Sequence, residues 1–249
     1  MRNFVLGLCA LGMAALSTTG VAQAQSVTFN TTGNMADHGT YGNALTFGAS
    51  GSALQLKVTG WQSSQNSNAI TAAYVGAYSP GIGVTGTNDY NGSYGYHQID
   101  NAGSYTDFVL LQFSAPVVLK NLNLNSFDLG SATSKDNDLA FYAADVPEAA
   151  WNSKVDLTQY STVPSLWTTV SGTGKDGVVS TGASIASREW LVGAAFNSGS
   201  NDGFKIASIT VSPGAVPEPA SWAMMILGVG AIGAAARRRK QAVQAATAA

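Results

Sequence analysis

Cysteine is missing from all but the leader-like start of the chain, where Cys9 stands alone. Whatever follows that start has no disulfide, no thiolate nucleophile and no Cys-ligated metal. Histidine is nearly as scarce, with only His38 and His97. The chain holds no His-x-x-x-His, no Gly-x-Ser-x-Gly and no His-Glu pairing. A hydrolase needs a nucleophile with its base, two placed carboxylates or a metal triad. None of these has a local signature here, so the expectation is a protein that is not an enzyme. Charge is thin too, at 10% of residues. Between Gln25 and Val216 seven basic residues face thirteen acidic ones. With no basic stripe, a nucleic-acid partner is excluded. Helix-period apolar segments of useful length are lacking between residues 25 and 214.

The two ends do carry apolar segments. Arg2 opens the chain, Phe4 to Leu16 is an Ala/Leu/Gly-rich stretch, and Ala22-Gln23-Ala24 supplies small residues at the cleavage spacing. That order is the pattern of a secretory signal peptide over 1–24, with Ala22 and Ala24 marking the cut. The stretch is shorter than the roughly 20 residues of a spanning helix. Export through the Sec translocase and trimming by signal peptidase follow as expectations. At the far end, Val216-Pro217-Glu218-Pro219 precedes an apolar run from Trp222 to Ala236, closed by Arg237, Arg238, Arg239 and Lys240. The four cations are the membrane stop, held on the cytoplasmic side, and Trp222 sits where an interfacial aromatic is favoured. The run is somewhat short for an untilted crossing, a deficit that snorkelling arginines and local thinning can absorb. Pro217 and Pro219 cannot continue a helix, so the segment before Trp222 is extended and open to a processing enzyme.

Pro217-Glu218-Pro219-Ala220-Ser221-Trp222-Ala223, then Gly228, Gly230, Gly233 and the Arg run, resembles the PEP-CTERM sorting signal, in its variant with Trp-Ala after the Pro-Glu-Pro motif. The resemblance covers 215–240 and leaves 241–249 as a short tail beyond the point where such signals usually stop. It implies that Pro217, Glu218, Pro219, Trp222 and Ala223 are read by exosortase, a multi-pass membrane transpeptidase-like enzyme. Anchoring in the inner membrane through the C-terminal helix is implied first, then release or transfer to the cell surface or beyond.

The body, 25–214, is long enough for one domain with a sizeable core. Short β-type runs recur along it, separated by Gly, Asn, Ser or Pro clusters. They are Ser26–Phe29, Ala44–Ala49, Ala53–Trp61, Ile70–Tyr78, Asp107–Phe113, Val117–Phe127, Leu139–Ala143, Leu166–Val170, Trp190–Phe196 and Phe204–Val211. In Ala53–Trp61, Leu54, Leu56 and Val58 alternate with Gln55, Lys57 and Thr59, the period of a half-buried strand. A helical turn is expected from Asp145, where Asp145-Val-Pro-Glu148 has capping spacing. The pattern predicts an all-β fold, a single jelly-roll-like β-sandwich, with Ser212-Pro213-Gly214-Ala215 breaking the last strand. Gly81-Ile82-Gly83-Val84, His97-Gln98-Ile99-Asp100-Asn101 and Asp107-Phe108-Val109 are similar to a pattern in exosortase-dependent surface proteins. In that pattern a Gly-rich turn leads to an Asp-Asn pair and a strand beginning with Asp. Asp136-Asn137-Asp138, Trp190 to Ala194 and Asp202 to Lys205 fit the same likeness, which implies a β-sandwich at the cell surface and no activity.

Calcium is the cofactor that the residues suggest. Asp136, Asn137 and Asp138 crowd oxygens into one loop, and Asp100, Asn101 and Asp107 form a second group; hard Ca²⁺ takes such ligands. The same residue types cap turns through side-chain-to-backbone hydrogen bonds, so both readings stand. Tyr74, Tyr78, Tyr90, Tyr94, Tyr96 and Tyr105 could stack on sugar faces, as in a secreted carbohydrate-binding module, or could simply pack on strand faces. The sequence as a whole points to an exported surface or matrix protein sorted by exosortase. The family likeness adds an association with exopolysaccharide and biofilm.

Overall fold

The computed structural model describes residues 25–33, 40–87, 89, 97–129, 135–144, 151, 154–158, 167–196, 202–214, 225–234 and 236–237. Twelve strands are found among them: β1 Val27–Asn30, β2 Ala44–Gly48, β3 Gln55–Ser64, β4 Ile70–Tyr78, β5 Gly81–Thr85 and β6 Ile99–Asp100 in the first half. β7 Tyr105–Ser126, β8 Leu139–Ala143, β9 Thr168–Val170, β10 Gly177–Ser180, β11 Ser187–Ala194 and β12 Gly203–Pro213 complete the set. The all-β expectation holds. Asp145, Pro147 and Glu148, where a helical turn was expected, lie outside the described residues.

The strands form one sheet in the order β1-β12-β5-β4-β3-β7-β11-β8-β9, with β2 on β3, β6 on β12 and β10 on β7. β12 also pairs with β7, so β12, β5, β4, β3 and β7 close a ring. A two-sheet sandwich was expected; the hydrogen bonding instead closes the sheet into a barrel-like arrangement. Closure depends on β7. Its first half, Tyr105 to Phe113, pairs with β3, and its second half, Val117 to Ser126, pairs with β12. The sequence pattern breaks this strand at Ser114-Ala115-Pro116, yet the backbone runs through. Pro116 has no ladder N–H to give, and it sits where β7 changes partners and the β11 register shifts between Ser187 and Glu189. Proline is tolerated in a strand at such an irregularity.

Two further register shifts turn the strands around the core. Lys120 is the extra residue opposite Thr210 and Val211, and Ala207 is the extra residue opposite Asn123 and Leu124. A bulge bends its strand and sharpens the twist, as closure requires. Each also resets the side-chain alternation, so that Val117 and Leu119, then Leu122 and Leu124, all reach the same core. That core takes Leu56 and Val58 of β3, Val109, Leu111 and Phe113 of β7, Trp190 and Val192 of β11, and Phe204, Ile206, Ile209 and Val211 of β12. Burying one such side chain stabilises the fold by about 1.5–3 kcal/mol. The other face of β3, β7 and β11 is covered as well: Trp61, Phe108, Leu110 and Leu191 pack with Val155 and Leu157.

β5 was read in the sequence as a Gly-rich turn and is a strand. Ser79 and Pro80 make the two-residue hairpin turn before it, since Tyr78 pairs with Gly81. Its glycines serve close approach. A Cβ on Gly81, whose φ is +133°, would collide with the Ile206 carbonyl, and one on Gly83 with the His97 carbonyl. β12 likewise runs two residues past the expected Val211. Pro213 is its last residue, a position from which no further ladder N–H is required, and the Gly214 N–H donates to the Pro116 carbonyl.

Residues 225–234 and 236–237 are helical and exposed. Among the described residues no helix is long and apolar enough to cross a membrane. Trp222 and the other residues of the expected span up to 224, together with 235, lie outside the described set.

Candidate functional site

Among the described residues, the fold gathers acidic side chains into two groups of three. In the first, one carboxylate oxygen each from Asp89, Asp100 and Asp107 lie within 4.8 Å of one another. In the second, Asp136, Asp138 and Asp202 do the same. The sequence reading had Asp100 with Asp107, and Asp136 with Asp138. Asp202 joins the second group through its bridge to Asp136, and Asp89 joins the first on the loop after β5; neither membership has a signal in local spacing.

In the first group Asp107 lies on β7 and continues the alternation of Val109, Leu111 and Phe113, with Gln62 as its cross-strand neighbour. It therefore caps the apolar interior at one end of the sheet. Asp100 ends β6, held by its pairing with Gly203; its Oδ1 accepts the Ala102 N–H at 2.9 Å. Asp89 is on the loop after β5, where its Oδ2 accepts the Gly86 N–H. A Cβ on Gly86 would collide with Gln62 Oε1 and stand 3.4 Å from Asp107 Oδ1, so this loop lies close over the group. Asp100 and Asp107 are each 3% exposed. Their Oδ2 atoms are buried and have no hydrogen-bond partner. Burial, then the neighbouring Asp89 charge, pushes Asp100 up to about 8. Burial, then Asp89 and Asp100, raises Asp107 well above the usual carboxylate range. Asp89 is raised by burial, against the pull of the Gly86 N–H.

The second group is wired differently. Asp136 Oδ1 accepts the Asn137 N–H at 2.8 Å, and Asp138 Oδ1 accepts the Gly172 N–H at 2.6 Å. Asp202 Oδ1 accepts the Asp138 N–H at 3.2 Å. Asn101 belongs to this network and not beside Asp107 as a free oxygen donor. Its amide NH₂ donates to Asp202 Oδ2 at 2.6 Å and to the Ala195 carbonyl at 2.9 Å, and its Oδ1 accepts the Asp202 N–H at 3.0 Å. Asn137 is fully buried and fixes the loop from behind, donating to Ser126 Oγ and accepting from the Gly174 N–H. Burial raises Asp138, opposed by the Gly172 N–H and helped by Asp136. Only the Asp136–Asn137 bond is a local turn cap of the kind open to Asp and Asn; the Asp138–Gly172 and Asp202–Asp138 bonds join segments distant in the chain.

The remaining sequence candidates divide simply. Tyr74 and Tyr78 are buried, so neither offers a face for stacking on a sugar. Tyr90, Tyr94 and Tyr96 lie outside the described residues, as does His38. His97 is nearly buried, stacks on Tyr78 at 5.0 Å between centroids and hydrogen-bonds Thr85 through Nδ1. Ala22, Ala24, Pro217, Glu218, Pro219, Trp222, Ala223, Arg238, Arg239 and Lys240 are outside the described set, whereas Arg237 ends the exposed helical segment.

Residues 215–240 match the family model of the PEP-CTERM protein-sorting motif. No curated protein matches the chain, and no solved structure does. The matched segment spans the Pro-Glu-Pro motif, the apolar helix and the Arg/Lys cluster as one unit. The chain thus carries a PEP-CTERM protein-sorting motif over 215–240, a C-terminal signal that implies an exported protein addressed to exosortase.

Proposed function

We propose that this is a non-enzymatic cell-surface or extracellular-matrix protein. It is threaded out through Sec, trimmed after Ala24, lodged in the inner membrane by its C-terminal helix and then cut by exosortase near Pro217-Glu218-Pro219. The observation that carries the reading is the sorting motif at 215–240. The helix supports the lodging step. From Met225 to Ala236 it has no polar side chain, and Met225, Ile226, Leu227, Val229 and Ile232 are all exposed at 57–72%. Such a surface calls for an apolar surrounding. Tilt and local thinning suit a short span at modest cost. By likeness to the family, the released domain belongs among the exopolysaccharides of a biofilm.

The test replaces Pro217, Glu218 and Pro219 with alanine in the native host. The variant should stay in the inner-membrane fraction with its tail mass intact, while the parent reaches the surface or medium with a shortened tail. Identical fractions and masses for the two would sink the proposal.

A further inference from the structure

We propose that the carboxylates of Asp89, Asp100 and Asp107 hold one calcium ion at the end of the barrel-like sheet. Three observations meet there. The first is spacing. Donors that share an ion can stand no further apart than twice the metal–oxygen distance, about 4.6–5.2 Å for calcium and about 4.0–4.2 Å for magnesium. The three oxygens lie within 4.8 Å of one another, close enough to share one ion, and three protein carboxylates suit calcium better than magnesium, which keeps several waters and takes only one or two.

The second observation is the pair of buried oxygens without partners, Asp100 Oδ2 and Asp107 Oδ2. A buried polar atom left unpaired is destabilising, and more so when it carries charge. These two come from different strands, β6 and β7, and belong to one group. The charged neighbours that act on Asp107 are Asp89 and Asp100, both acidic. A cation between them removes the repulsion and fills the vacant lone pairs together. An all-oxygen donor set selects a hard ion over zinc or copper.

The third observation is the contrast with Asp136, Asp138 and Asp202. Each of those carboxylates accepts a backbone N–H, and none of them leaves a buried oxygen without a partner, as Asp100 and Asp107 do. Equal acidity thus has two outcomes in one molecule: a network that closes on itself, and a group that lacks a positive centre. The ion would clamp the loop after β5, β6 and β7, three separate segments, in a domain that has no cysteine with which to join them.

The experiment uses the full chain in mild detergent, stripped of metal by a chelator and titrated with calcium chloride. Calorimetry should find one ion per chain. The Tm should climb with calcium concentration, the folding equilibrium shifting about elevenfold at ten times Kd. Asp100→Asn and Asp107→Asn should abolish the climb, and Asp138→Asn should keep it. Asp89→Asn, on the half-buried loop, serves if either core variant does not fold, and should weaken binding at least tenfold. A parent Tm that does not move at millimolar calcium overturns the proposal. So does a full response in the Asp100, Asp107 or Asp89 variants, or its loss in Asp138→Asn. Sorting is tested in cells and this site in the cuvette, so neither result depends on the other.

Discussion

Asp100 and Asp107 are placed where a carboxylate is least at ease: 3% exposed, beside each other and beside Asp89. Their common environment has a consequence for the chelated protein. Asp100 is pushed up to about 8, by burial first and the Asp89 charge second, from an ordinary value of 3.8; Asp107 moves the same way. From about pH 4 upward the folded chain therefore keeps protons that the unfolded chain has released. Since stability falls with pH wherever the native state binds more protons, the contribution is whole below about pH 4 and is lost as pH climbs to about 8. Melts of the chelated chain between pH 5 and 8 should show a falling Tm. A Tm that rises across this window contradicts the assignment. Other residues of the region were readable only in part. Asp136, Asn137 and Asp138 are consecutive, and Asp136 caps its own turn, but Asn137 and Asp138 bind the distant backbone of Gly174 and Gly172. Asp202 reaches its group through its bridge to Asp136, and Asp89 through the course of the loop after β5, and for neither does local spacing carry a signal.

At the scale of elements, strands whose alternation faces one core were plain in the sequence. Ile70–Tyr78 and Leu139–Ala143 have the expected bounds, and β3 is the expected Ala53–Trp61 run shifted to Gln55–Ser64. The errors share a cause: local rules gave way to long-range fit. Pro116 looked like a stop and proved to be a partner change within β7. The bulges at Lys120 and Ala207 leave no mark in composition, yet they bend the strands that close the ring. β6 and β10 have only two and four residues, too few to show a period. β5 was hidden by its glycines, which are there because β12 passes close to Gly81 and the His97 carbonyl close to Gly83. Gly81→Ala tests that explanation. The new methyl meets the Ile206 carbonyl, and the positive φ adds strain. Since β5 and β12 are joined at Ile82↔Ile206 alone, the cost should be at least about 2 kcal/mol by urea denaturation. A change within about 0.5 kcal/mol, the range of an ordinary surface substitution, would show that β5 does not depend on this contact.

The whole molecule is bound together by one strand. β7 pairs with β3, β10, β11 and β12, so an opening anywhere along it exposes apolar surface on two sides. The inner core contains Trp190, whose indole N–H donates to the Val117 carbonyl at 3.1 Å. The outer cluster contains Trp61, paired across β3 and β7 with Phe108. These two reporters sit on opposite faces of the same three strands, and neither face can be lost while the other keeps its register. Unfolding of the domain should therefore be a single transition. Near-UV circular dichroism, which follows the packed tryptophans, should coincide with far-UV circular dichroism, which follows the strands. Trp61→Phe and Trp190→Phe should each lower the common midpoint without separating the two curves. If one tryptophan melts ahead of the strands, the faces are independent, and the outer cluster is a cover and not part of the core. A single midpoint would mean that a clamp at Asp107, on β7 itself, steadies every strand that β7 holds.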